Sequence, residues 1–360
     1  MSNLSFLVGR DDLHRCVVVD EPEPSGADLA EGQALLAVRS FALTANNITY
    51  GAFGTVMRYW DFFPASDGWG RIPVWGFADV VESRADGVHV GERVYGYLPM
   101  STHLVLEPFR PSAGGWTDGS AHRRALPPVY NQYERVPAGE AVDPTTEAYK
   151  ALLQPLFMTS FVLDDWLADN DLFGAELVVL ASASSKTALG LAHLLTTNAR
   201  GRVIGLTSAH NVEFVRSTGS YDDVVPYGSL AGAVEPAPAV FVDMAGSAEV
   251  RAEVHHHFGA DLRFSSAVGA THWDEMEAVG DLPGPRPTMF FAPDQITKRR
   301  TDWGSAGLAE RFSVAWDGFT EAAAEWMELV DVQGPEAVRV AYLDLLDGRC
   351  PPAHGLVCSL

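Results

Sequence analysis

The side chains best placed for chemistry lie in a short turn between an apolar segment and a helical one. Leu177–Leu180 is apolar, Ala181–Ser185 consists of small residues, and helical periodicity begins at Lys186. A strand that enters a helix through such a turn directs backbone N–H groups and the positive helix end at an anion. The segment therefore predicts a site for a phosphate-bearing cofactor, and a buried crossover without a ligand is the alternative. The candidate ligands are Ser182, Ser184, Ser185, Lys186 and Thr187.

This turn is almost free of glycine. A dinucleotide-binding fingerprint has Gly at the tight turn and again where the pyrophosphate contacts the backbone. Here only Gly190 stands in a comparable position, and Lys186 adds a positive charge that the usual fingerprint lacks.

A second apolar segment, Arg202–Leu206, ends in Thr207 and Ser208 and precedes another helical segment, which is the spacing of a β-α-β unit. An acidic residue at this strand end binds the ribose hydroxyls of NAD. A small hydroxyl residue with cationic neighbours instead leaves space for the 2′-phosphate of NADP. Because Thr207 and Ser208 have His210 and Arg216 nearby, the sequence favours NADP. Ser208 would also serve as a helix N-cap.

Two later segments carry further candidates. His272 follows the predicted strand Phe264–Val268, at the sheet edge where open α/β folds bind ligands, and Gly269 is a candidate cofactor contact in the same turn. The alternative is a structural turn with Asp274 as helix N-cap. Lys298–Arg300 is a tight basic run in an acidic chain. It is interpreted either as a solvated face or as a partner for a phosphate or an acyl-carrier tail.

The first part of the chain is predicted to be β-rich and barrel-like, because short apolar runs alternate with Gly and Pro. These runs are Arg15–Val19, Gln33–Val38, Pro73–Glu82 and Arg93–Leu98. Residues 108–147 are rich in Pro, Gly and Ser and are predicted to form a long excursion near a cleft rather than core. A helix is predicted over Thr146–Leu167.

Strands and helices then alternate, which predicts a parallel sheet with right-handed crossovers. The predicted strands are Leu177–Leu180, Val203–Leu206, Val224–Val225, Val240–Asp243, Phe264–Val268 and Thr288–Ala292. A helix over Pro335–Leu346 and a strand over Gly355–Leu360 follow them.

Composition limits the function classes. The chain has 360 residues and a formal net charge of −22. This length suffices for two domains, and the acidity argues against nucleic acid and anionic membranes as partners, because both need clustered Lys and Arg. Cys16, Cys350 and Cys358 fit no disulfide or zinc spacing, so a cytoplasmic location is predicted. No leader-like segment and no apolar window of about 18 residues is found, so neither export nor membrane insertion is expected.

Several strings in order resemble the medium-chain dehydrogenase/reductase superfamily. Ser40–Tyr50 is similar to a family segment that reads Gly-Leu-Asn-Pro-x-Asp, with Thr44 at the Asn and Asn47 at the Asp. The other similar strings are Pro73–Glu82 with Val90–Gly96, Phe241–Gly246 beside the nicotinamide, and Pro335–Leu360. The resemblance implies an α/β fold. In this implied fold, a GroES-like β-barrel domain spans 1–147 and a Rossmann-like doubly wound parallel sheet spans 148–330. A C-terminal helix and strand over 331–360 would return to the first domain.

The zinc-independent quinone and enoyl reductase branch is the one implied. Trp75–Ala78 stands where zinc-dependent members carry Gly-His-Glu, and no metal site is predicted. Adjacent His255–His257 point about 100° apart on a helix, so they cannot share one metal and are interpreted as a solvated face. The implied reaction is hydride transfer from NADPH to an activated double bond or carbonyl of a small, largely apolar molecule.

The resemblance also implies site residues. Tyr50 would donate a proton, or be an ordinary half-buried tyrosine of a barrel strand. The remaining implied residues are Asn47, Thr44 and His272 for catalysis and Met244 for the cofactor. Tyr59–Phe63 is interpreted as the wall or lid of an apolar pocket, or as core.

A non-redox function on the same scaffold is the competing hypothesis. It would be a lyase or isomerase that uses Tyr50 and His272, or a small-molecule binding protein that has lost the dinucleotide. Titration with NADPH separates these hypotheses from a reductase. A homodimer is expected only by analogy with the family.

Overall fold

The computed structural model describes residues 3–22, 24–137, 143–268 and 282–360. They form two compact units. The first unit comprises Met1–Leu152 and Glu328–Leu360, and the second comprises Leu153–Met327.

The first unit is built mainly from antiparallel strands. Its early elements are β1 (Asn3–Gly9), β2 (Cys16–Glu21), β3 (Ala34–Leu43), α1 (Ala45–Ala52), β4 (Trp69–Gly70), β5 (Pro73–Ser83) and β6 (Arg93–Pro99). They are followed by β7 (His103–Leu106), β8 (Pro108–Ser112), β9 (Gly115–Asp118), β10 (Gln132–Arg135) and the start of α2 (Pro144–Asp169). The C-terminal elements are β17 (Glu328–Gln333), α8 (Pro335–Leu346) and β18 (His354–Ser359).

Within the described residues, the larger sheet of this unit has the order β17-β18-β3-β5-β6-β10-β9-β8, and β7 also pairs with β3. Register shifts at Leu35/Leu36 and Val38/Ser40 bend β3 against β5, because each extra residue increases the local twist. Gly76 allows a close approach there, since a Cβ at this position would lie 2.2 Å from the Ser40 carbonyl oxygen.

One expectation and one alternative interpretation for this unit are wrong. In the predicted excursion over 108–147, the described residues 108–137 do not lie outside the core, because β8, β9 and β10 pair into the sheet and the side chains of Arg123 and Tyr133 are buried. Strand pairing satisfies the backbone N–H and C=O groups of β8, β9 and β10. A sequence rich in Pro and Gly does not reveal this pairing. Tyr50 lies in helix α1 rather than in a barrel strand, because Thr44 and Asn47 form a capping box that starts a helix.

The second unit alternates strands and helices. Its elements are β11 (Leu177–Ala181), α3 (Lys186–Thr197), β12 (Arg202–Thr207), α4 (Val212–Ser217), β13 (Asp223–Pro226), α5 (Leu230–Ala233) and β14 (Ala239–Asp243). They are followed by α6 (Ala248–Phe258), β15 (Leu262–Ala267), β16 (Thr288–Met289) and α7 (Ala292–Ala324), which leaves helical geometry at Gly304.

Its six described strands are parallel in the order β13-β12-β11-β14-β15-β16. Strands β11 and β14 are buried along their whole length, as parallel strands covered on both faces must be. The order of strands reverses between β11 and β14. Their carboxyl ends therefore flank a topological switch point, where open α/β sheets bind ligands.

Helix α3 packs closely on the part of α2 in this unit. A Cβ at Gly190 would lie 3.0 Å from both Phe157 and Ser160, so glycine permits the contact. Phe157 also stacks on Phe319 of α7, with ring centroids 4.6 Å apart. In the described part of the chain, no helix is both long enough and apolar enough to span a membrane.

Candidate functional site

The turn after β11 is held in a strained conformation. Ser182 has a φ of 54°, in the left-handed region that favours glycine. Its backbone N–H donates a hydrogen bond to the Tyr227 hydroxyl at 3.0 Å. Ser185 caps α3, and its Oγ accepts from the Ala188 N–H at 3.2 Å. Hydrogen bonds to the Tyr227 hydroxyl and to Ser185 Oγ therefore hold this turn in a left-handed backbone conformation that a glycine-rich turn adopts without side-chain support.

Ser184 joins this turn to the end of β12. Its Oγ accepts hydrogen bonds from Asn211 Nδ2 at 3.1 Å and from the buried Thr207 hydroxyl at 3.5 Å. A hydroxyl oxygen that already accepts two hydrogen bonds has its own hydrogen left to donate. The Ser184 hydroxyl hydrogen thus remains available for an acceptor such as a phosphate oxygen.

The side chains just beyond β12 include a hydroxyl, an imidazole and a guanidinium. Ser208 Oγ lies 3.3 Å from Nε2 of the exposed His210. The exposed Arg216 donates one hydrogen bond to the Val224 carbonyl at 3.2 Å. Lys186 and Thr187 are the first residues of α3, and the Thr187 carbonyl accepts from Ser160 Oγ at 2.7 Å. The side chains named here can donate hydrogen bonds at this edge of the sheet, and β12 ends in Thr207 rather than in Asp or Glu.

A buried ion pair orders the turn after β14. Asp243 Oδ2 accepts two hydrogen bonds from Arg251 at 3.0 and 2.9 Å, and both residues are buried. Asp243 Oδ1 accepts from the backbone N–H groups of Ala245 and Gly246 at 3.0 and 2.9 Å. The half-buried Met244 is fixed within this turn. The predictions for Gly269 and His272 lie outside the described residues.

In the first unit, an aromatic group that we term the tyrosine cluster surrounds Tyr50. It consists of Tyr50, Tyr59, Trp75, Tyr97 and Tyr130. The Tyr50 ring centroid lies 4.6 Å from that of Tyr59, 5.6 Å from that of Tyr97 and 6.3 Å from that of Tyr130. Tyr50 and Tyr97 are buried, whereas the other three members are half-buried. The cluster thus has two buried phenols and three partly exposed aromatic side chains. We term the three partly exposed members, Tyr59, Trp75 and Tyr130, its aromatic rim.

The phenols of this cluster keep their protons. Burial, the largest cause, raises the pKa of Tyr50 above its usual value, and the neighbouring Tyr59 raises it further. Trp75, Asn46 and Tyr97 lie near the Tyr50 hydroxyl and oppose this shift. Burial likewise raises the pKa values of Tyr97 and Tyr130 well above the ordinary value. At neutral pH these groups are therefore hydrogen-bond donors rather than bases.

Thr44 and Asn47 are engaged in local structure. Asn47 Oδ1 accepts from the Thr44 N–H at 2.7 Å and from the Thr44 hydroxyl at 3.2 Å. Asn47 Nδ2 donates to the Pro73 carbonyl at 3.0 Å. Both side chains are buried. Their hydrogen bonds start α1 and tie it to β5, which positions Tyr50 rather than leaving Thr44 or Asn47 directed at a ligand.

The histidine run is not a solvated face, contrary to the prediction. His255 is fully buried, with Nε2 2.9 Å from Ser265 Oγ and Nδ1 2.9 Å from the Pro283 carbonyl. Only one face of α6 packs on the sheet, and the period of 3.6 residues places His255 on it while His256 is exposed. Across the described ranges, no group of three His, Cys, Asp or Glu side chains could hold a metal ion.

The basic run is held by carboxylates. Arg299 is 5% exposed and is paired with Asp165, Asp169 and Asp302. Lys298 donates to Asp169 at 2.9 Å and to Asp302 at 3.1 Å. The charge of both residues is therefore matched within the second unit.

A cavity of about 330 Å³ lies in the first unit, bordered by Phe62 and Phe63 of the aromatic insert. Both side chains also belong to the core of this unit, so the two interpretations of the insert hold together. The arginines at the cavity are paired internally. Arg71 donates to Glu21 at 2.5 Å, and Arg123 lies 3.1 Å from Asp118.

Sequence reasoning missed several residues of these sites. Tyr227 is the first residue after β13, and Asn211 is the fourth residue after β12. Their positions just beyond a strand end are the sequence signal that could have identified them. The pair Asp243 and Arg251 is signalled by an acid at a strand end eight residues before a base on a helix. The contact of Tyr130 with Tyr50 carries no local signal, because 80 residues of sequence separate them.

A sequence profile described as "Protein of unknown function (DUF2855)" matches residues 41–351. No curated protein sequence matches the chain.

Solved structures resemble this one along their whole length. The crystal structure of CurA from Vibrio vulnificus in complex with NADPH has a TM-score of 0.61 at 14% identity and covers 99% of this chain and 98% of its own. A mutant enoyl thioester reductase from Candida tropicalis has a TM-score of 0.59 at 8% identity, with 100% of both chains covered. A quinone oxidoreductase from Coxiella burnetii has a TM-score of 0.56 at 12% identity, again with 100% of both covered. These similarities confirm the predicted α/β fold with a parallel Rossmann-like sheet.

Proposed function

Since the chain belongs to the DUF2855 family and has the medium-chain reductase fold, we propose that it is a zinc-independent, NADPH-dependent reductase. Its substrate is a small, largely apolar molecule with an activated double bond or carbonyl. When bound, NADPH supplies the hydride for this chemistry. A resembling protein, CurA, was solved with NADPH.

One observation carries the proposal: the donor set at the switch point of the second unit. Ser184 has a hydrogen to donate, Ser185 caps α3, and β12 ends in Thr207 instead of an acid. Donors without a carboxylate fit a cofactor with a pyrophosphate and a 2′-phosphate. Ser182, Ser184 and the first turn of α3 would hold the pyrophosphate. The residues that would hold the 2′-phosphate are Ser208, His210, Arg216 and Lys186.

The first unit supplies proton and orientation chemistry. Tyr50 carries a buried phenol whose raised pKa keeps it protonated, and α1 fixes its position through Thr44 and Asn47. Such a group can donate a hydrogen bond to an oxygen on which negative charge develops, or transfer its proton. The aromatic rim of the tyrosine cluster would exclude water from the reacting carbonyl.

Calorimetric titration with NADPH and NADH tests the cofactor assignment. NADPH should bind more tightly, because a 2′-phosphate would meet Ser208 and its cationic neighbours. Lys186→Ala should weaken NADPH by about 1–3 kcal/mol, the range for a lost hydrogen bond to a charged group. Lys150→Ala is the matched control, because Lys150 pairs with Glu134 in the first unit. Equal or tighter binding of NADH would overturn the preference, and a complete lack of nucleotide binding would favour the non-redox alternative.

A reversed preference gives a second test. Ser208→Glu would place a carboxylate where ribose hydroxyls are bound in NAD-dependent proteins. NADPH affinity should then fall by about tenfold or more, whereas NADH affinity should hold or rise. If both nucleotides lose affinity equally, Ser208 does not face the ribose.

A further inference from the structure

The turn after β11 is supported by a phenol from another part of the sheet. Ser182 has a φ of 54°, in a region that residues with a Cβ rarely adopt. Its backbone N–H donates to the Tyr227 hydroxyl at 3.0 Å, although 45 residues of sequence separate the two. Glycine needs no such support, because it has no Cβ. Tyr227 therefore supplies a contact that a glycine at this position would not require.

Tyr227 is itself fixed on two sides. Its backbone N–H donates to the Thr207 carbonyl at the end of β12, at 2.8 Å. The backbone N–H groups of Gly228 and Leu230 donate to the two carboxylate oxygens of Glu253, at 2.9 and 3.0 Å. Glu253 belongs to α6. Its carboxylate therefore holds the segment that follows Tyr227 against this helix.

Helix α6 also holds the turn after β14. Arg251, two residues before Glu253, donates two hydrogen bonds to Asp243, and both members of this pair are buried. The turns after β11 and β14 flank the switch point of the sheet. One helix thus supports both turns, directly through Arg251 and indirectly through Glu253 and Tyr227.

The Tyr227 phenol is neutral at physiological pH. Burial, the largest cause, raises the pKa of Tyr227, and the Asp243 carboxylate adds to this shift, whereas the hydrogen bond from Ser182 opposes it. A phenol whose pKa lies above the ordinary value keeps its proton at pH 7. Tyr227 can therefore hold the turn without repelling an anion bound there.

We propose that Tyr227 and Glu253, which we term the turn brace, are positioning residues that hold Ser182 in its left-handed conformation and so preset the turn after β11 for a phosphate-bearing cofactor. A turn that already has its bound conformation loses less conformational freedom when the ligand binds. The effect on NADPH rests on the proposed function, whereas the action of the turn brace on Ser182 does not.

Calorimetric titration of the full chain with NADPH tests this proposal through a double-mutant cycle. Tyr227→Phe should weaken NADPH binding by about fivefold, because the Ser182 N–H loses its acceptor and the turn leaves the left-handed conformation more often. In the Ser182→Gly background the same change should cost less than about twofold, because glycine adopts this conformation without support. Glu253→Ala should weaken NADPH by about threefold and should also be rescued by glycine at position 182.

Two control variants match these changes. The Tyr221 hydroxyl donates to the carbonyl of Ala183, the next residue of the same turn, at 2.9 Å. Any loss of affinity in Tyr221→Phe should persist with glycine at position 182, because that hydrogen bond does not support Ser182. Glu249→Ala, at an exposed position of α6, should bind NADPH as the wild-type protein does.

The outcomes separate three roles for Tyr227. An equal loss of affinity in the serine and glycine backgrounds would show that the phenol contacts the ligand itself, and would overturn the proposal. Unchanged affinity together with a lower melting temperature would leave Tyr227 a purely structural role, and would overturn it too.

Urea denaturation of the same variants tests the turn brace without nucleotide. Tyr227→Phe should lower the free energy of unfolding more in the serine background than in the glycine background. Equal losses would overturn the action of the turn brace on Ser182. If the wild-type protein binds no NADPH while the two losses differ, the proposed function and the effect on affinity fail, and the turn brace stands.

Discussion

At the scale of single residues, Ser182 is the position where the turn after β11 departs from a glycine-rich one. Its φ of 54° costs an L-residue about 1–2 kcal/mol, and glycine would lose about 0.5–1 kcal/mol in chain entropy. Ser182→Gly should therefore raise the free energy of unfolding by about 0.5–1 kcal/mol in urea denaturation. Ser182→Ala keeps the Cβ and should give no gain. A destabilised glycine variant would show that the serine side chain holds the turn.

Tyr50 tests the chemistry of the first unit. Tyr50→Phe removes one hydroxyl and little volume, so turnover of an enone should fall by about 10²-fold while NADPH affinity holds. Steady-state kinetics and calorimetry on one preparation measure both quantities. Tyr342→Phe is the control, because Tyr342 is buried in the same unit but donates to the Leu13 carbonyl at 2.9 Å. Turnover within twofold of wild type would exclude Tyr50 from the reaction.

At the scale of elements, the titratable side chain of His255 lies where helix α6 packs on the sheet. Burial lowers the pKa of His255, which faces Ser265 of β15. The unfolded chain therefore takes up a proton near pH 6.5 while the folded protein does not, and stability falls as the pH drops below that value. His255→Gln should flatten the dependence of the free energy of unfolding on pH between about 6.5 and 5. His256→Gln, on the exposed side of the same helix, should leave the slope unchanged.

At the scale of the whole molecule, the reaction and the fold are predicted to need no metal. By the sequence resemblance, Trp75–Ala78 stands where zinc-dependent members carry Gly-His-Glu, and this segment has no metal-ligating side chain. The Trp75 ring packs on Tyr97. Exhaustive dialysis against a chelator should leave the melting temperature and the turnover unchanged. Stoichiometric zinc in protein purified without added metal, measured by elemental analysis, would contradict this prediction.

Local sequence patterns determined much of the second unit and the edges of the first. Pro335–Leu346 is the helix that its periodicity predicts, and Leu177–Ala181 is one residue longer than the predicted strand. The serines after β11 and the hydroxyl residues after β12 also indicate the proposed nucleotide-binding edge of the sheet, because these signals depend on neighbours in the chain. The parallel sheet follows from the alternation of strands and helices.

The contacts that form the tyrosine cluster were decided only by tertiary structure. The sequence over 108–137 lacks the regular alternation of strands, yet β8, β9 and β10 pair into the sheet, and Tyr130 lies against Tyr50 and Tyr97. The burial of His255 and the packing of Trp75 on Tyr97 likewise depend on which surfaces meet. Periodicity fixes which residues share a face of one element. It does not specify what that face packs against, because packing partners come from distant parts of the chain.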